Sequence, residues 1–171
     1  TCALPICVHK ANILKLSDGL FLSTFKEIAK EFPDIESDDK IVDNVCMQLV
    51  MHPENFDIMV TPNLYGDIIS DLTSGLIGGL GLLPSMNIGT DYAMFEAVHG
   101  SAPDIAGMHI ANPTALLWSA CMMLEYMNEN ETAATIRHAV DLILSEGTTL
   151  TPDLGGTAKT EEYTTAIIAK L

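Results

Sequence analysis

What most constrains this chain is the alternation of short apolar runs with longer segments of helical period, each cut off by proline or glycine. Between 13 and 32, apolar residues fall at Ile13, Leu16, Leu20, Phe25, Ile28 and Phe32, a helical spacing that Pro33 ends. A short strand over 40–42 and a helix over 44–50 follow, then a buried strand over 56–60 stopped by Pro62. The stretch 63–76 reads as a helix running into the glycine-rich segment 75–81. Beyond Pro84, 92–98 reads as a strand and 99–112 as a polar loop. Asn112 suits a helix cap and Pro113 a first helical residue. The helix they open continues through Met127, apolar almost all round and so expected to be buried. Ile136, Ala139, Val140, Ile143 and Leu144 mark another helix closed by Gly147, and a last one occupies 161–171. Strands alternating with helices predict an α/β fold.

Hydrophobic residues make up 48% of the 171 and charged residues 18%, enough for a sizeable core. Every apolar run is broken well before the ~18 residues a membrane helix needs. Eight Lys and Arg stand against 23 Asp and Glu, a net charge of −15, and such a surface repels phosphate backbones. Neither a membrane nor a nucleic acid is therefore an expected partner. Cys2, Cys7, Cys46 and Cys121 contain no C-x-x-C, which indicates neither a zinc site nor a disulfide framework. Asn130-Glu131-Thr132 matches a glycosylation triplet but has no secretory context and reads as chance.

The strongest chemical signal is the run from Asn63 to Asp71. Asp67 and Asp71 lie four apart, so on a helix their carboxylates leave one face a turn apart. Like charges at that spacing weaken a helix unless something positive sits between them. A divalent cation such as Mg²⁺ or Mn²⁺ would do so; the alternative is a solvated acidic face. Asp43, just after a predicted strand, is either a third carboxylate or a helix cap. Lys10, at the end of an apolar stretch, is either a surface charge or a proton relay.

In a second constellation, 95–107, small residues at Gly100, Ser101 and Ala102 let backbone N–H groups approach a bound cofactor, or merely make a tight connection. The glycines of 75–81 do not fit G-x-G-x-x-G and are expected to serve close packing and turns. His52 and His138 are expected in capping or surface roles rather than as metal ligands, His109 could be either, and Cys121, Met122 and Met123 read as core filling.

Five stretches together, VHKANI (8–13), IVDN (41–44), NLYGDIISDL (63–72), FEAVHGSAPDIAG (95–107) and ANPTALL (111–117), resemble the isocitrate/isopropylmalate dehydrogenase family over 8–171. The resemblance implies that family's two-domain α/β fold, here its C-terminal half. Residues 1–77 would belong to the smaller dimerising, metal-binding domain and 78–171 to the large cofactor-binding domain. It implies Asp67 and Asp71 as ligands of a catalytic Mg²⁺ or Mn²⁺, completed by Asp43 of a partner subunit. Lys10 would also cross the dimer interface, to assist proton transfer. His99, Gly100, Ser101, Ala102, Asp104 and Asn112 would belong to the adenosine side of the cofactor site. A carboxylate at Asp104 would accept from a ribose 2′-hydroxyl and repel a 2′-phosphate, which favours NAD over NADP.

The implied chemistry is oxidation and decarboxylation of a 2-hydroxy acid, in homo- or hetero-oligomers with shared active sites. Ser17-Asp18-Gly19-Leu20-Phe21 resembles the NAD-linked isocitrate enzymes of the family more than the isopropylmalate ones. The family's N-terminal half, with the arginines and serine for substrate carboxylates and a catalytic tyrosine, has no counterpart in these residues. The chain is thus expected to be a piece, inactive by itself. The alternatives are an isopropylmalate dehydrogenase and a non-catalytic regulatory subunit. The resemblance implies the mitochondrial matrix, with the cytoplasm as alternative.

Overall fold

The computed structural model describes residues 3–171. Thr1 and Cys2 lie outside the described residues, and with them Cys2's part in the cysteine argument. The fold is mixed α/β, in two compact units that divide between Leu76 and Ile77.

The first unit is built on a three-stranded parallel sheet in the order β2-β1-β3. β1 is Pro5–His9, β2 Asp38–Ile41 and β3 Ile58–Val60. β1 was not expected from the sequence. Its five residues are too few to show a period, and its proline is tolerated because it opens the strand. As the central strand it is enclosed on both faces, with Ile6, Cys7 and Val8 fully buried. α1 (Ser17–Ala29) connects β1 to β2, and α2 (Val42–Met51) follows β2 directly. α3 (Asn63–Leu76) follows β3 after Pro62. Val45 and Leu49 of α2 and Ile69 of α3 pack with Ile6 and Val8 into this unit's core.

The apolar spacing read over 13–32 does give a helix, but it does not give a core face. Leu16 is 90% exposed, Leu20 68% and Ile28 51%, while the residue α1 buries is Asp18. Periodicity reports that a face is apolar, not what covers it.

The second unit holds an antiparallel hairpin, β4 (Pro84–Ile88) with β5 (Ala93–Ala97), and three helices. β4 too was unexpected, since a strand opening on proline with Asn at its fourth position carries little β signal. α4 (Thr114–Tyr126) packs on the hairpin through Ser119, whose hydroxyl reaches the Glu96 carbonyl at 2.7 Å and accepts the Ser85 N–H at 3.3 Å. α5 (Asn130–Glu146) ends at Gly147, which takes the left-handed conformation (φ +66°). Ala139, Val140 and Ile143 of α5 pack with Tyr163 and Ile167 of α6 (Thr160–Ile168). α4 is not buried all round as expected: Leu116, Met123 and Tyr126 are exposed. Of the patch read as core filling, Cys121 is buried and Met123 is not. Among the described residues, no helix is long and apolar enough to cross a membrane.

Candidate active site

Parallel strands place the residues that follow them at one edge of the sheet, where α/β proteins commonly bind ligands. β1 is in register with both neighbours, His9 opposite Ile41 and Cys7 opposite Val60, so all three strands end on the same side. Lys10 follows β1, Asp43 lies in the first turn of α2, and Asp67 and Asp71 lie on α3.

Lys10 is held from several directions. Its ammonium pairs with Asp43. Its backbone N–H donates to Asp18 Oδ2 at 2.7 Å, and the next N–H, of Ala11, donates to His9 Nδ1 at 3.0 Å. With Nδ1 accepting, Nε2 is the protonated nitrogen and donates to Asp39 Oδ2 at 3.1 Å. Lys26 reaches the other Asp39 oxygen at 2.6 Å.

Asp43 is thus an ion-pair partner and not the helix cap considered above; the cap position is Ile41, and Asp43 sits inside the first turn. The Lys10 ammonium bonded to Asp43 holds its carboxyl below the usual carboxylate range. Lys26 does the same for Asp39, against the effect of burial and with help from His9. Cys7, enclosed in β1, is a poor nucleophile. Burial pushes its thiol up to about 11, Asp39 adding to the effect and Lys26 opposing it.

Asp67 and Asp71 are exposed and take part in none of the ion pairs among the described residues. No three His, Cys, Asp or Glu side chains among the described residues converge closely enough to hold a metal, so Asp43 does not join the pair within one chain. Gly66, in the turn before Asp67, allows a close approach: a Cβ there would stand 2.8 Å from Thr61 Oγ1.

Two residues central to this site escaped the sequence reading. Asp18 is 7% exposed and, besides the Lys10 N–H, accepts the Tyr65 hydroxyl at 2.7 Å and the Ser17 hydroxyl at 3.2 Å. Burial alone would raise its carboxyl, but the bonds from Tyr65, Lys10 and Ser17 outweigh that and hold it low. The same contact, with burial, pushes the Tyr65 hydroxyl up. An Asp followed by Gly at a helix start is common, so only its company in 17–21 set it apart.

The second unit contains a cavity of about 700 Å³. His99, Gly100, Ser101, Ala102 and Asn112 line it, as do His109, Gly81 and Asp153. Small residues from Gly100 to Ala102 and at Ala106, Gly107 and Ala111 make up about half of its lining, and a Cβ on Gly100 would meet nothing within 4 Å. Asn112 is fixed by three bonds. Its Oδ1 accepts the Thr114 N–H at 3.0 Å and the Thr114 hydroxyl at 2.6 Å, and its Nδ2 donates to Asp153 Oδ2 at 2.9 Å. Since Thr114 gives its one hydroxyl proton to Asn112, the Tyr163 hydroxyl is the donor in the 2.8 Å bond to Thr114.

Asn112 is therefore not the cap expected from the sequence: Pro113 takes that position, and Asn112, one residue earlier, accepts the N–H of Thr114, the first residue of α4. Gly81 passes so close that a Cβ would lie 2.9 Å from Asp153 Oδ2, the tight packing expected of this glycine-rich stretch. Asp104 lies in the short turn Pro103–Ile105; Ala102 and Ile105 line the cavity, but Asp104 does not. His52 is exposed beside Glu54 at the end of α2, and His138 is exposed on α5.

Parallel strands with charged residues at their carboxyl ends, and a cavity before a helix start, are features of ligand-binding α/β proteins. The sequence matches the description isocitrate/isopropylmalate dehydrogenase over residues 4–167, and the chain belongs to that family. It is 61% identical over 163 residues to an isocitrate/homoisocitrate dehydrogenase of Thermus thermophilus, covering 95% of this chain and 48% of that protein. It is 53% identical over 166 residues to a mitochondrial regulatory subunit of the NAD isocitrate dehydrogenase of Dictyostelium discoideum, covering 96% and 47%. The crystal structure of an isocitrate dehydrogenase from Methylococcus capsulatus superposes with a TM-score of 0.89 at 53% identity, covering 98% of this chain and 50% of that one. The chain thus spans about half the length of the curated relatives it matches.

Proposed function

We propose that this chain supplies the metal-binding and cofactor-binding parts of an NAD-linked decarboxylating dehydrogenase acting on isocitrate. The observation that carries this reading is that the exposed Asp67–Asp71 pair on α3 and the Lys10–Asp43 ion pair after β1 do not converge on one metal site among the described residues, as expected of halves of two sites shared between chains. In this reading the first unit belongs to a smaller dimerising domain and the second to a large cofactor-binding domain.

The residues present suit the groups the reaction needs. Asp67 and Asp71 offer hard oxygen donors one turn apart, with no cation paired to either among the described residues, a donor set that fits Mg²⁺ or Mn²⁺. Asp43 of a second chain would complete it. The volume of about 700 Å³ fits a nucleotide-sized group, and small residues allow backbone contact with it. Asp153 in the wall, and Asp104 between two wall residues, disfavour a 2′-phosphate and so NADP. Asp67 and Asp71 would hold the metal, which when bound would supply Lewis acidity for the loss of a β-carboxylate, and NAD⁺ in the cavity would supply the hydride acceptor. Lys10, steadied by Asp43 and its backbone bonds, moves a proton at the neighbouring site.

Isocitrate is preferred over 3-isopropylmalate on the strength of the 17–21 segment and the name of the Thermus relative. A regulatory, non-turning-over subunit is the second reading, favoured by the Dictyostelium relative. Intact acidic and HGSAPD residues favour the catalytic one. A mitochondrial location is shared by the Dictyostelium relative and not by the bacterial one.

The test joins this chain to the N-terminal half of the Thermus relative. NADH formation is followed with isocitrate, homoisocitrate and 3-isopropylmalate, with Mn²⁺ and with EDTA. The expected result is Mn²⁺-dependent turnover of isocitrate, lowered by roughly a hundredfold or more in Asp67→Asn. A folded, NAD-binding protein without turnover of any of the three acids would favour the regulatory reading.

A further inference from the structure

We infer that Asp18 and Tyr65 form a positioning pair that locks the Lys10 backbone to the first turn of α3, and that turnover depends on this lock. The inference rests on the activity proposed above and deepens it. Asp18 is the buried residue of α1, while the helix's apolar residues are only partly buried or exposed, an arrangement that packing alone does not explain. A buried carboxylate is costly unless fully bonded, and Asp18 is: one oxygen, Oδ2, accepts both the Lys10 N–H and the Tyr65 hydroxyl at 2.7 Å, and Oδ1 accepts Ser17. Its partners are not arbitrary. Lys10 is the candidate proton-transfer residue, and Tyr65 lies on α3 two positions before Asp67.

A single oxygen therefore joins the strand end that carries the lysine to the helix that carries the metal carboxylates. From the other side, His9 Nδ1 accepts the Ala11 N–H, so the peptide units on both sides of Lys10 are anchored. Neither Asp18 nor Tyr65 is a catalytic residue in this account; both act through the placement of Lys10, and a displacement of about 1 Å at a reacting group costs on the order of a hundredfold in rate.

The joined protein described above serves as its own control, because turnover by the parent tests the activity and the variants test the lock. Asp18→Ala and Tyr65→Phe should each lower kcat about tenfold or more, with the KM values for isocitrate and NAD⁺ and the affinity for Mn²⁺ within about twofold. Asp18→Asn, which keeps an oxygen acceptor in place, should recover part of the loss. The double variant should be no worse than Asp18→Ala alone, the non-additivity expected of two groups acting through one contact. A second readout needs no turnover. In protein labelled with ¹⁵N-lysine, the Lys10 amide should exchange slowly with solvent, and Asp18→Ala should speed that exchange by roughly a hundredfold. Additive variants with kcat within twofold of an active parent would overturn the inference. So would an unchanged Lys10 amide, even in a parent without turnover.

Discussion

At the scale of single residues, the first unit is organised around one lysine. Lys10 meets Asp43 through its side chain and Asp18 through its backbone, so one residue engages two acidic groups for different purposes. The Asp18 contacts have a consequence for acid stability. Because they hold the Asp18 carboxyl below its usual range, the folded chain gives up this proton at lower pH than the unfolded chain does. The stabilisation is complete above about pH 4, the unfolded value, and is lost as pH falls through the lower folded value. Tyr65→Phe removes one of the bonds responsible. Urea midpoints of the parent and this variant should therefore differ near neutral pH and converge as pH drops below about 4. A gap that stayed constant down to the acid limit would contradict this account.

At the scale of elements, α3 was legible because Pro62 and the following glycines bound it, and its acidic pair has helical spacing. The start of α4 was legible to within one residue for a similar local reason: Asn112 and Pro113 act within their own turn, but the helix begins at Thr114 with Pro113 at the cap position. β1 was not legible, since five residues enclosed on both faces show neither alternation nor helical period. The role of Asp18 lay further out of reach, because Tyr65 is 47 residues away and only the fold brings them together.

The segment between α5 and α6 is similarly dictated by tertiary contact. A Cβ on Gly156 would stand 2.0 Å from the Leu150 carbonyl oxygen, backbone against which nothing flexible can yield. Gly156→Ala should therefore destabilise the chain by about 3 kcal/mol, read from urea unfolding, the upper end of what forced overpacking costs. A loss below about 1 kcal/mol would mean that this turn relaxes readily.

At the scale of the whole molecule, α1 and α4 leave apolar residues exposed, among them Leu20, Ile28, Leu116 and Tyr126. The proposed sharing of Lys10 and Asp43 between chains accounts for an acidic pair on α3 that no third metal-ligating side chain joins among the described residues. It also predicts complementation. Lys10→Met and Asp67→Asn subunits of the joined protein should each be nearly inactive alone. After mixing and reassembly they should recover about a quarter of the parent activity, since half the dimers are mixed and each has one intact site. Failure to recover any activity, with mixed dimers demonstrated, would place Lys10 and Asp67 in the same site from the same chain.

The central claim is an oxidation coupled to loss of the β-carboxylate, and its most direct test is a stoichiometry. With the joined protein, isocitrate, NAD⁺ and Mn²⁺, the account predicts one CO₂ released for each NADH formed, both abolished by EDTA. NADH without CO₂, or CO₂ release that persists in EDTA, would contradict it.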